Sequence, residues 1–214
     1  MNKTILIILS GLIIIGCSST KTEYSAEACL EQGNTLLESK TYKKAIASYT
    51  KAIELKPDYA NAYSCRGIAR YNKGDYDGAI QDYNKAIELN PDDAKAYYNR
   101  GNVKAIKKND YYSAIQDYNK AIELKPYYAE AYCSRGLTKN KRGDYDGAIQ
   151  DYTKAIALKP DALIYEIRGS SKYTKGDYDG AIADWEQAIK LKPSKEKELR
   201  PQIDKAKQKA KENK

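Results

Sequence analysis

Residues 74–91 read GDYDGAIQDYNKAIELNP, and this stretch decides the fold. Close copies stand at 40–57 (KTYKKAIASYTKAIELKP), 109–126 (NDYYSAIQDYNKAIELKP), 143–160 (GDYDGAIQDYTKAIALKP) and 176–193 (GDYDGAIADWEQAIKLKP). Their closing residues, Pro57, Pro91, Pro126, Pro160 and Pro193, are spaced by 34, 35, 34 and 33. Self-similarity at such a period marks a stacked-repeat protein, because one short unit cannot bury its apolar face alone. Within 76–89 the apolar residues Tyr76, Ala79, Ile80, Tyr83, Ala86 and Ile87 recur at helical spacing. The first helix of the unit is expected over 60–73, ended by Gly74-Asp75, and Asn90-Pro91-Asp92 ends the second, since proline cannot continue a helix. Each unit therefore reads as two antiparallel helices joined by a tight turn. The Asp residues that open four of the five copies read as N-terminal caps rather than as calcium ligands.

The registers of small and aromatic residues resemble the tetratricopeptide repeat (TPR). They are Gly33, Gly67, Gly101, Gly136 and Gly169; Ala45, Ala79, Ala114, Ala148 and Ala181; Tyr49, Tyr83, Tyr118, Tyr152 and Trp185; and Ala52, Ala86, Ala121, Ala155 and Ala188. The resemblance covers about residues 26–195 and implies an all-α fold. That fold is an α-α superhelix of five helix pairs, at 26–59, 60–93, 94–128, 129–161 and 162–195, followed by a capping helix at 196–214. Glycine inside a helix costs roughly 0.5–1 kcal/mol relative to alanine, so five at one register imply close helix–helix approach. Two length changes fall in loops: one extra residue at Lys107-Lys108-Asn109 and one fewer after Pro160.

The family usually has leucine where this chain has Arg66, Arg100, Arg135 and Arg168. The same units carry Asp82, Asp117, Asp151 and Asp184, whereas the first unit has Gln32 and Ser48 there. The charges appear and vanish together, which suggests an Arg–Asp bridge between the two helices of each unit. Simple copying of repeats would produce the same correlation.

The chain begins with Lys3 and an apolar run, Ile5 to Ile15. That is shorter than the roughly 20 residues a membrane helix needs, so 1–16 reads as a secretory signal. Ile14-Ile15-Gly16-Cys17 resembles the lipobox of bacterial lipoproteins, with Ile14 where leucine is usual. The resemblance implies a diacylglyceryl group on the Cys17 sulfur, cleavage before Cys17 and acylation of the new amino terminus. An uncleaved anchor, or an ordinary signal with an incidental cysteine, is the plainer alternative. Residues 17–25 would then be a polar tether. The implied location is the bacterial cell envelope, and Ser18 resembles outer-membrane sorting if the cell has two membranes.

Composition narrows the function. Histidine is absent, which removes the commonest general base and metal ligand, and no Gly-rich phosphate loop occurs. Cys29, Cys65 and Cys133 share no CxxC spacing and read as small, partly buried thiols. No catalytic residue, cofactor or metal is expected. Half of the net charge of +8 sits in the tail, where Leu199, Ile203, Ala206 and Ala210 keep helical spacing. A cap over the last repeat fits better than a strip for anionic lipid or nucleic acid, and export argues against nucleic acid.

In this family the first helices line the concave side. The groove residues are then Asn34, Asn61, Ile68, Tyr71, Asn72, Lys95, Tyr98, Asn102, Glu130, Asn140, Lys141, Tyr173 and Thr174. Tyrosine and amide side chains suit peptide recognition, although any one of them could simply be solvated. A lysine/asparagine/arginine clamp for two carboxylates, as in chaperone-binding TPR proteins, would fall where Leu30, Asn34, Cys65, Lys95 and Asn99 stand; only Asn34 and Lys95 fit, and the other cations are lacking. The expectation is a lipid-anchored scaffold for protein or peptide partners; the alternative is a module for cell-wall glycan or a small solute.

Overall fold

The computed structural model describes residues 25–107 and 110–212. The signal segment, Cys17, the tether up to residue 24, and the extra residue near Lys108-Asn109 lie outside the described residues. Eleven α-helices follow one another, with no strand among the described residues. They are α1 (Ala26–Glu38), α2 (Tyr42–Leu55), α3 (Ala60–Lys73), α4 (Tyr76–Leu89), α5 (Ala94–Lys107) and α6 (Tyr111–Leu124). Then come α7 (Ala129–Lys141), α8 (Tyr145–Leu158), α9 (Ala162–Thr174), α10 (Tyr178–Leu191) and α11 (Glu196–Glu212). None is long and apolar enough to cross a membrane. Each odd helix packs on the even helix after it, and each pair packs on the next, giving the expected solenoid.

Local chemistry sets the ends of these helices. Asp75, Asp110, Asp144 and Asp177 accept the backbone N–H three residues on, at 2.9–3.1 Å, so the opening aspartates are caps. A cap of this kind stabilises a helix by about 0.5–2 kcal/mol. Thr41 makes no such bond in the first unit. Ser25, expected to end the tether, instead caps α1 by accepting the Ala28 N–H at 3.0 Å. The residues before the closing prolines are extended, as at Asn90 (φ −140°, ψ 89°), because proline excludes the helical region from its neighbour. Gly74 takes φ +86° to end α3; in the first unit Lys40 takes the left-handed conformation, at φ 57°.

The core is a line of thin local clusters. Ala45, Ala79, Ala114, Ala148 and Ala181 are fully buried, as are Ala52, Ala86, Ala121, Ala155 and Ala188. Tyr49, Tyr83, Tyr118, Tyr152 and Trp185 lie between them, at most 2% exposed. The five helical glycines make room for those rings. A Cβ on Gly33, Gly67, Gly101, Gly136 or Gly169 would fall within 3.0 Å of a ring atom of Tyr49, Tyr83, Tyr118, Tyr152 or Trp185 respectively. The close approach is thus of a helix backbone to an aromatic face, and at Gly101 and Gly169 also to the backbone oxygens of Ala114 and Ala181, 3.2 Å from where a Cβ would stand. At the far end Leu199, Ile203 and Ala206 of α11 are fully buried against Trp185 and Ala188, which makes α11 a cap. Ala210, expected on the same face, is only half-buried.

Charged residues join the pairs. Asp82, Asp117, Asp151 and Asp184 are 3–4% exposed. Each is gripped bidentately by the arginine of its own unit, with Nε–Oδ2 at 2.9–3.0 Å and Nη2–Oδ1 at 2.6–2.8 Å. A second cation, Arg70, Lys104, Lys139 or Lys172, meets the same carboxylate at 2.8–3.0 Å. The remaining arginine nitrogen, Nη1, donates to Thr50, Asn84, Asn119 or Thr153 on the preceding unit's second helix. Each guanidinium also lies 5.4–5.5 Å from a tyrosine ring centroid one turn away: Tyr63, Tyr97, Tyr132 or Tyr165. In the first unit Ser48 donates to Gln32 at 3.3 Å instead. So the bridges run within units, as the pattern suggested, and the same arginines also link each unit to the one before.

Candidate partner-binding groove

Successive first helices touch: α1 meets α3, α3 meets α5 and α5 meets α7. These odd helices therefore line the tighter, inner side of the stack, and their outward residues form the groove. Three open clefts of about 190–250 Å³ lie along it.

The cleft between α3 and α5 is bordered by Ile68, Tyr71, Asn72, Asn99 and Asn102, with Tyr83 beneath. It brings together four of the expected groove residues, Ile68, Tyr71, Asn72 and Asn102. The cleft where α5, α7 and α9 converge is bordered by Tyr98, Cys133, Ser134, Leu163 and Ile164. Glu130 and Lys159 stand at its rim, 3.8 Å apart. The Tyr98 ring is 5.0 Å from that of Tyr128, and the Tyr98 hydroxyl is 3.5 Å from Ser134 Oγ. Burial, helped by Asp161 and Glu130, pushes the Cys133 thiol up to about 11, so it is a neutral thiol rather than a nucleophile.

The third cleft lies between α9 and α11 and is bordered by Ser170, Tyr173, Thr174, Gln202 and Lys205. Here Tyr173 packs on Tyr178 and Trp185, with the Lys205 ammonium 6.0 Å from its ring centroid. The cap thus contributes to this end of the groove, which the repeat pattern alone did not indicate.

The remaining expected residues are scattered. Asn61 and Lys95 are exposed. Asn61 accepts a long bond from the Cys65 thiol, 3.6 Å away. Asn140 donates to Ser171 Oγ at 2.9 Å, which ties α7 to α9.

A hydroxyl–amide pairing orders part of the face. The Tyr49 hydroxyl donates to Asn34 Oδ1 at 2.9 Å, and the Tyr118 hydroxyl donates to Asn102 Oδ1 at 2.8 Å. With the carbonyl oxygen engaged, the amide N–H groups of Asn34 and Asn102 remain as donors. Burial raises the phenols of Tyr49, Tyr83, Tyr118, Tyr128 and Tyr152 well above their usual value, so all five stay neutral. Groove residues that the sequence did not single out include Ser134, Leu163 and Gln202. Leu163 was detectable as an apolar residue at the start of a first helix, and it is 55% exposed.

Family profiles described as TPR repeat match residues 33–74, 69–105 and 106–141, and profiles described as tetratricopeptide repeat match 129–161 and 162–195. No curated protein matches the chain. Among solved structures, MamA superposes with a TM-score of 0.71 at 28% identity, covering 77% of this chain and 96% of MamA. YrrB, described as a TPR protein with an unusual peptide-binding site, gives 0.66 at 24%, covering 80% and 88%. A tetratricopeptide repeat protein from Parabacteroides merdae gives 0.67 at 24%, covering 81% and 68%.

Proposed function

The chain belongs to the tetratricopeptide-repeat family, and from that premise we propose a non-catalytic scaffold that binds protein or peptide partners along its inner groove. Its setting in this reading is the bacterial cell envelope, in a secretion, pilus or envelope-assembly role. Lipid on Cys17 tethers it there, on the outer membrane if two membranes are present. The observation that carries the binding role is the row of open clefts along the first helices. They combine apolar walls with polar side chains: amides in the α3–α5 and α9–α11 clefts, hydroxyl and charged groups where α5, α7 and α9 converge. Such a surface suits an extended chain, whose side chains and peptide groups can use several clefts at once. YrrB shares the fold and is described as having a peptide-binding site, which is consistent with this use of the fold.

A glycan or solute site is less well matched. Each cleft is open and measures about 190–250 Å³, below the roughly 300–1,000 Å³ of pockets that enclose a small ligand. The anchor rests on the residues around Cys17 and on membrane physics: two or more acyl chains, at ~0.8 kcal/mol per buried methylene, hold a protein stably on a bilayer.

Crosslinking followed by purification from detergent-solubilised membranes tests the binding role. Stoichiometric protein partners support the scaffold; co-purifying glycan without protein contradicts it. Globomycin treatment and Cys17→Ser, followed by fractionation, test the anchor. The substituted chain should leave the membrane fraction, and one still wholly membrane-bound at wild-type mobility removes the lipid tether.

A further inference from the structure

The tyrosines under the groove differ in what their hydroxyls meet. Tyr49 and Tyr118 each reach an asparagine of the paired first helix, Asn34 and Asn102. Tyr83 occupies the same register, with its ring against Gly67 as Tyr49 lies against Gly33, but the residue after Gly67 is Ile68, which offers no acceptor. Among the described residues the Tyr83 hydroxyl makes no hydrogen bond, although the residue is only 1% exposed. Its ring forms the floor of the cleft between α3 and α5. No side chain among the described residues bonds that hydroxyl, so a ligand group that enters the cleft can pair with it.

The walls define what that group is. Asn102 has its oxygen committed to Tyr118, which leaves N–H donors, and Asn99 makes no side-chain hydrogen bond among the described residues. Ile68 and Tyr71 supply apolar sides. No charged side chain borders the cleft. The nearby Asp82 carboxylate is already held by Arg66 and Arg70. A carboxylate or ammonium entering here would lose water without gaining a counter-ion. A neutral planar amide can accept from Asn102 while donating to Asn99 or Tyr83, with its methylenes between Ile68 and Tyr71.

We infer that this cleft is a side-chain subsite for a glutamine or asparagine carboxamide of a bound peptide, read by Tyr83, Asn99 and Asn102. The inference rests on the scaffold reading above and adds a specificity to it.

The test is selection of a short random-peptide library on the full-length chain in detergent, followed by anisotropy titration of the enriched peptides. The subsite predicts enrichment of Gln or Asn at one peptide position. Gln→Glu or Gln→Leu at that position should weaken binding by on the order of tenfold, the loss expected for one or two hydrogen bonds. Tyr83→Phe keeps the ring, so its melting temperature should be unchanged or slightly raised, and it should abolish the preference for Gln over Leu. Asn99→Ala serves as a second, independent variant and should weaken Gln peptides selectively. Groove-binding peptides with an acidic or apolar residue at that position, or Tyr83→Phe and Asn99→Ala proteins that keep the full Gln preference, overturn the subsite and leave the scaffold standing. A library that yields no binder at all overturns both.

Discussion

Arg100 on α5 holds both carboxylate oxygens of Asp117 on α6, at 3.0 and 2.7 Å, while its third nitrogen donates to Asn84 on α4 at 2.6 Å. One guanidinium therefore joins three helices from two units. The geometry repeats at Arg66, Arg135 and Arg168 with Thr50, Asn119 and Thr153 as the third contact. A fork of five fixed donors suits this task, and lysine could not replace it.

Removing one partner of such a buried pair should be costly. Asp117→Ala strands Arg100 and Lys104 and is expected to lower stability by about 3–5 kcal/mol. Arg100→Ala should cost less, because Lys104 still meets the carboxylate at 2.8 Å. A urea-denaturation double-mutant cycle between Arg100 and Asp117 should give a coupling above about 1 kcal/mol. Additive effects would remove the bridge from the account.

The glycines separate into two kinds by their response to side-chain size. Gly33→Ala pushes a Cβ into the buried Tyr49 ring and should cost about 1–3 kcal/mol, with Gly33→Leu worse. At Gly74 nothing lies within 4 Å, and only φ +86° resists substitution. Gly74→Ala and Gly74→Leu should therefore cost the same, about 1–2 kcal/mol. Thermal melts of the four variants decide this; a size-dependent loss at Gly74, or none at Gly33, contradicts the packing.

Stability should fall in alkali. The buried phenols of Tyr49, Tyr83, Tyr118, Tyr128 and Tyr152 titrate above the ordinary tyrosine range, mainly through desolvation. A folded-state value raised above the unfolded one leaves this stability intact below about pH 10 and erodes it as pH rises further, because the unfolded chain then releases protons the native state keeps. Replacing one of these residues, as in Tyr152→Phe, should make the decline shallower by up to about 1.4 kcal/mol per pH unit. Urea midpoints measured across that range check it, and a stability profile indifferent to the substitution speaks against the burial.

The cap should fail locally. Ile203→Asp places a charge where Ile203 is fully buried against the last repeat. In a stack where each unit touches only its neighbours, hydrogen exchange should rise in α9 to α11 and stay unchanged in α1 to α6. Uniform loss of protection would indicate a more cooperative molecule.

Much of this was legible in the residues themselves. The Gly, Ala and aromatic registers gave the helix pairs because small residues at a fixed spacing have one common use, close approach. The Arg–Asp pairing was legible because both charges are missing from the first unit. The second cation carries the same signal, with Leu36 in the first unit where Arg70, Lys104, Lys139 and Lys172 stand, yet it lies one turn away on the same helix and reads as solvated surface. The third arginine contact depends on how units stack, which no spacing within a unit encodes. For the same reason Tyr173 was assigned to an open groove, whereas α11 borders it. That the Tyr83 hydroxyl lacks the asparagine partner of Tyr49 and Tyr118 depends on each ring lying under its own unit's first helix, where Ile68 replaces Asn34 and Asn102.

The account centres on partner recognition along the inner face of the first helices. The most direct measurement places a photo-crosslinking amino acid at Asn72, in the cleft between α3 and α5, and separately at Lys85, partly exposed on the second helix α4. Irradiation of intact cells should give discrete adducts with a protein partner from position 72 and none from position 85. Adducts formed equally from both positions, or only from position 85, would contradict recognition through the groove.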